Sequence, residues 1–113
     1  MAELSTLARP YAKAAFDYAK EQNVINNWEN FLLIASSIVR DESFSSLLSN
    51  PAISAEQKTA VLIDIYGSQT ADQPSDALVN FTKQLSEHDR LALLPEIHTH
   101  YSKLKSQELK QVD

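Results

Sequence analysis

The side chains that could carry acid–base or metal chemistry are few in this sequence, and they are badly spaced for it. His98 and His100 are two apart, so on a helix they point in quite different directions and cannot hold one ion together. His88 falls in a turn. The carboxylate pairs Asp41–Glu42 and Glu87–Asp89 have the placing of helix caps and solvated turns, whereas general acid–base work needs a buried pair in a cleft. With no cysteine, disulfides, thiolate metal sites and cysteine nucleophiles are excluded, and the chain is compatible with a reducing compartment. A single glycine cannot supply a phosphate-cradling loop or a dinucleotide fold, each of which needs several for close backbone approach. The expectation is a protein with no catalytic residue, no cofactor and no metal.

The elements that would position any site are helices. One Gly and four Pro in 113 residues leave almost no material for tight hairpins, and no stretch of useful length alternates with period two. At 12.7 kDa, 43% hydrophobic and 22% charged, the chain suits one compact domain, too short for a second. Fifteen acidic against ten basic residues give a net charge of −5 with no basic block, which argues against nucleic acid. The start, Met1-Ala2-Glu3-Leu4, lacks the features of a signal peptide, and no apolar run approaches membrane-spanning length, so direct membrane insertion is not expected.

Apolar spacing predicts an all-α, six-helix bundle. The first helix spans about residues 4–20, with Ser5 and Thr6 as caps and Pro10 either tolerated near the first turn or marking a kink. The second, 25–39, repeats Trp28, Phe31, Leu32, Ala35, Ile38 and Val39. Asp41 caps a short third helix carrying Phe44, Leu47 and Leu48, which Asn50-Pro51 ends. Ser54 to Gln57 fits a capping box opening a fourth helix with Val61, Leu62, Ile65 and Tyr66, and Gly67 follows as its left-handed terminator. Residues 68–74 form the longest loop. Ser75 caps a fifth helix over 76–86, with Leu78, Phe81, Thr82 and Leu85 on one side and Asn80, Lys83, Gln84 and Glu87 on others. The sixth runs from near Leu91 past Lys105 on Leu91, Leu94, Ile97, Tyr101 and Leu104. The division predicted is a bundle domain over 1–105 and a polar linker or tail over 106–113.

The first helix carries more apolar surface than one core contact uses, filling an arc of roughly 200°. Ala8, Ala12, Ala15, Phe16 and Ala19 make one flank, whose small residues let another helix approach closely. Leu7, Tyr11, Ala14 and Tyr18 make the other. A helix with two apolar flanks is either central in its bundle or lends one flank to a partner. Periodicity alone leaves both open.

The run Ala8-Arg9-Pro10-Tyr11-Ala12-Lys13-Ala14-Ala15-Phe16-Asp17 resembles the opening signature of the ATP synthase delta (OSCP) family. The stretches Leu47 to Ala52 (LLSNPA), Lys58 to Ile65 (KTAVLIDI) and Glu87 to Ile97 (EHDRLALLPEI) resemble the same family in order and spacing. The resemblance covers nearly the whole chain. It implies a non-catalytic stator component, part of the peripheral stalk, whose N-terminal domain sits on the catalytic head and clasps the N-terminal helix of an alpha subunit. The head is thereby held against rotation during proton-driven ATP synthesis. The groove it implies lies between the first and fifth helices, assigning partner-binding roles to Leu7, Tyr11, Ala14, Tyr18, Asn80 and Gln84. It further implies a C-terminal domain, absent from this sequence, that joins the stalk's b subunits, and a peripheral location at the cytoplasmic face of the bacterial inner membrane. The alternative that pattern alone supports is a free-standing helical adaptor for some other amphipathic helix.

Overall fold

The computed structural model describes residues 2–110, and these form six α-helices with no strand among them. They are α1 (Ala2–Glu21), α2 (Ile25–Arg40), α3 (Glu42–Leu48), α4 (Ala55–Thr70), α5 (Asp76–Glu87) and α6 (Leu94–Lys110), with a 3-10 turn at Leu91–Leu93 leading into α6. Short polar side chains fix the starts of α3, α4 and α5. Asp41 accepts from the backbone N–H of Ser43 and Phe44, and Ser75 from that of Leu78. Ser54 and Gln57 bond reciprocally as the predicted capping box. Each satisfies amides that a helix end leaves without an intrahelical partner.

Two turns share one device. After α1, the N–H of Val24 bonds the carbonyl of Ala19 and that of Asn23 bonds Lys20, with Asn23 at φ 61°. After α5, Arg90 bonds Leu85 and Asp89 bonds Ser86, with Asp89 at φ 58°. Both are Schellman closures, and Asn and Asp are the non-glycine residues that tolerate the left-handed region best. Chain direction is therefore set at both turns without glycine.

The sixth helix is the centre of the bundle, since both α1 and α2 pack along it. The α4–α5 pair is a hairpin of its own, and α4 leans on α2. The face that α1 buries is the predicted small-residue flank, with Ala8, Ala12, Ala15 and Ala19 at 0–1% exposure and Phe16 set edge-on against Tyr101 at 5.5 Å. Tyr101 is fully buried, and its hydroxyl donates to the carbonyl of Ile25 at 2.7 Å, tying α6 to the first turn of α2. Burial pushes its phenol pKa up. Phe31, Leu32, Leu62, Leu85, Leu94 and Ile97 complete the enclosed core, each contributing about 1.5–3 kcal/mol of burial.

Four local expectations are corrected. The first helix begins two residues earlier than predicted, so Ser5 and Thr6 lie inside it rather than capping it; Ser5 Oγ instead hydrogen-bonds Nε2 of His100 on α6 at 2.7 Å. Pro10 is consequently an interior residue of α1. The sixth helix continues to Lys110, so residues 106–110 of the predicted tail are helical, while 111–113 lie outside the described residues. Gly67 does not terminate α4. The helix runs on to Thr70, and Ala71 takes the left-handed conformation at φ 56°, its N–H bonding the carbonyl of Gly67 at 2.8 Å. The loop shrinks accordingly to the few residues before Ser75.

That last difference gives a two-sided test. A Cβ added at Gly67 would meet only the carbonyl oxygen of Asp72, at an ordinary 3.6 Å. Gly67→Ala should therefore stabilise the fold by about 0.5–1 kcal/mol through helix propensity. Ala71→Gly should stabilise it by about 1 kcal/mol by relieving the left-handed strain. Thermal melts decide the matter, because a glycine acting as terminator would make Gly67→Ala destabilising instead.

Candidate partner-binding groove

On the side of α1 away from α6, the apolar residues Leu4, Leu7, Tyr11, Ala14 and Tyr18 recur at steps of three and four, which aligns them in one seam along a helix. Leu4, Leu7 and Tyr18 are 45%, 41% and 41% exposed, and Ala14 is exposed as well. The two flanks of α1 thus have different fates. The small-residue flank is core, and the other, Tyr11 apart, stays largely exposed.

Two contacts bracket the part of this seam from Tyr11 to Tyr18. Toward its C-terminal end, Tyr18 packs on the ring of Trp28 at 5.3 Å, and Trp28 meets Phe81 of α5 edge-on at 5.4 Å. Trp28 is itself buried, so α2 supplies an aromatic floor between α1 and α5. Further back along α1, the Tyr11 ring lies beneath the guanidinium of Arg90, 5.8 Å from its centroid, just past the end of α5. Running from Tyr11 to Tyr18, α1 passes alongside α5 read backwards from Arg90 to Phe81. The two helices make no extended backbone contact with each other. Ala14 lies between the brackets, and its small side chain keeps the middle of the seam shallow.

The expected residues divide into three groups. Leu7, Ala14 and Tyr18 are exposed along the seam; Tyr11 is only half-buried, packed against the core and roofed by Arg90. Gln84 is exposed on α5, and projected at about 100° per residue it falls near Phe81 on the flank toward α1. Asn80 is exposed too, but projects roughly opposite the buried stripe of Leu78, Thr82 and Leu85, at the rim. Leu4, Phe81 and Arg90 border the same seam and were not among the expected residues. The three–four spacing of 4, 7, 11, 14 and 18 carried the signal for Leu4, and the neighbourhood of Gln84 on the wheel carried it for Phe81. Nothing in the sequence pattern brings Arg90 over Tyr11.

The perturbed titratable groups belong to helix packing. Glu29 on α2 accepts from Lys105 at 2.6 Å and from Ser102 at 3.2 Å, and the Lys105 hydrogen bond holds its carboxyl below the usual range. His98, one turn before Ser102, has its pKa lowered chiefly by burial. These groups clasp α2 to α6. No set of three or more His, Asp or Glu among the described residues is placed to hold a metal. A separate open cleft of about 540 Å³ shares Trp28 with the seam and opens among α2, residues 71–75 and α5. Its only ionisable lining groups are Tyr66 and Asp72, which make no nucleophile–base pair. What the surface offers is an apolar seam flanked by aromatic rings, suited to an amphipathic helix.

The family profile of the ATP synthase delta (OSCP) subunit matches residues 7–113. Among similar proteins, the ATP synthase subunit delta of Psychrobacter cryohalolentis is 49% identical, with all of this chain and 67% of the relative covered. Its namesake from another Psychrobacter strain is 45% identical at the same coverage, and that of Acinetobacter baumannii 46% identical with 61% of the relative covered. The chain spans about two thirds of the length of these relatives. A helical bundle matched along nearly all its length in this way belongs to the ATP synthase delta (OSCP) subunit family.

Proposed function

We propose that this chain is the head-binding part of a stator subunit, holding the N-terminal helix of an alpha subunit in the seam between α1 and α5. The family fixes the coarser frame, a structural subunit of ATP synthase and not an enzyme. One observation carries the finer step: α1 leaves Leu4, Leu7, Ala14 and Tyr18 uncovered in a single line beside the Trp28 floor. Such a line matches the anchors at i, i+3, i+4 and i+7 by which an amphipathic helix docks. Torque from the central rotor turns into ATP only if the catalytic head is held still, so the contact must dissociate slowly. A continuous apolar seam gives slow dissociation because many side chains must be resolvated together.

On the same reading, the connection to the stalk's b subunits belongs to the part of the relatives' length that this chain does not span. No described helix is long and apolar enough to cross a membrane. Attachment at the cytoplasmic face of the inner membrane would then run through the complex. A free-standing adaptor would present a similar seam, but family membership favours the stator.

Trp28 provides the readout. Titration with a synthetic peptide of an alpha-subunit N-terminal segment should change its emission saturably, because Tyr18 and Phe81 on either side of it are covered when the seam fills. A peptide that gains no helicity and leaves Trp28 emission unchanged at high micromolar concentration would remove this function from the seam.

A further inference from the structure

Among the described residues Arg90 is the cation that lies over a seam residue, Tyr11, and its position is built rather than incidental. The backbone delivers it there through the closure after α5, where its own N–H bonds the Leu85 carbonyl at 2.7 Å and Asp89 adopts φ 58°. The guanidinium stacks over the half-buried Tyr11 and reaches the Tyr11 hydroxyl only at a long 3.4 Å. Among the described residues no carboxylate lies within ion-pair distance of it, whereas Lys13, Lys20 and Lys105 each have one. A guanidinium carries five N–H donors in a planar fork that matches a carboxylate. Among the described residues that fork makes a single side-chain hydrogen bond, the long one to Tyr11, and it sits over the middle residue of the apolar run.

Resting on the seam as the docking site, we propose that Arg90 is a specificity-determining contact: the amphipathic helix that occupies the seam carries a carboxylate which pairs with Arg90 beside Tyr11. The chain's net charge of −5 repels acidic partners in general, so the attraction must be local, and a helix docked out of register or reversed would cover Arg90 without pairing it. Leaving a covered cation unpaired penalises the wrong arrangement more than the pair rewards the right one.

The test is a set of titrations of the 113-residue chain with the alpha-subunit peptide and with variants in which each Asp or Glu is changed in turn to Asn or Gln. Arg90→Gln should weaken binding roughly tenfold or more and flatten its salt dependence, with Arg90→Lys intermediate because it keeps charge but not the fork. One peptide variant should show the same loss, and the two losses should not add. Unchanged affinity in Arg90→Gln, even with a lowered melting temperature, would reduce Arg90 to a cation at the negative end of α5 and overturn the proposal. Failure of the wild-type chain to bind the peptide would instead sink the seam itself, and the pairing with it.

Discussion

Ala14→Asp is expected to remove most of the chain's affinity for the alpha-subunit helix while barely moving its melting temperature. Ala14 is exposed midway between the Tyr11 and Tyr18 brackets, so the new carboxylate is solvated in the free domain. A surface change of this kind costs within about 0.5 kcal/mol of stability. In the complex the same carboxylate is trapped in an apolar seam with no partner, at a cost of ~2 kcal/mol or more, which is about a 30-fold loss of affinity or greater. Leu7→Ala and Tyr18→Ala should follow at smaller size. Calorimetric titration and a thermal melt on the same preparation separate the effects. An affinity within twofold of wild type for Ala14→Asp would move the docking surface off α1. Tyr11→Ala is a less clean probe than its place on the seam suggests, since Tyr11 also packs on the core beneath Arg90 and should lose stability and affinity together.

Enlarging the opposite flank should do the reverse. Ala12 and Ala8 are completely buried where α1 meets α6. Ala12→Leu forces three extra carbon atoms into a close-packed contact, and overpacking of this type costs about 1–3 kcal/mol. The melting temperature should fall by roughly 4 °C or more per kcal/mol for a domain of this size. The molecules that remain folded should bind the peptide as before, since the seam residues lie on the other side of the helix. Loss of affinity at an unchanged melting temperature would mean that the two flanks had been assigned the wrong way round.

Much of this architecture was legible in the residues, and the departures share a physical cause. Trp28, Phe31, Leu32, Ala35, Ile38 and Val39 of α2 are all buried as their spacing implied, and the capping box at Ser54 is formed. Periodicity reports burial directly, so elements and faces emerge from it. It reports helix ends weakly. At α4 a residue with high intrinsic freedom, Gly67, was outweighed by one more turn of backbone bonding, and an alanine took the left-handed position. At the tail, polar composition after Lys105 concealed a helix that persists, with Lys20 on α1 and Glu108 on α6 paired at 3.0 Å. The seam was half visible. Leu7, Ala14 and Tyr18 followed from the surplus apolar arc of α1, whereas Trp28 as a shared floor and Arg90 as a roof depend on how three separate elements meet in space. No local pattern encodes that.

The central position of α6 also bears on how the chain reaches this structure. Its two principal partners, α1 and α2, are made well before α6. The pairing of Phe16 with Tyr101 and of Ser5 with His100 closes loops of more than eighty residues. During synthesis, at ~5–20 residues per second, the first two helices must therefore wait several seconds with their apolar faces open. The α4–α5 hairpin, whose contacts are local, can form as soon as it is made. Closing such distant contacts raises the entropic barrier and slows folding relative to a bundle of sequential neighbours. The alanines along the waiting face of α1 limit the hazard of that interval, because a surface of methyl groups offers other chains far less to adhere to than a stripe of leucines would.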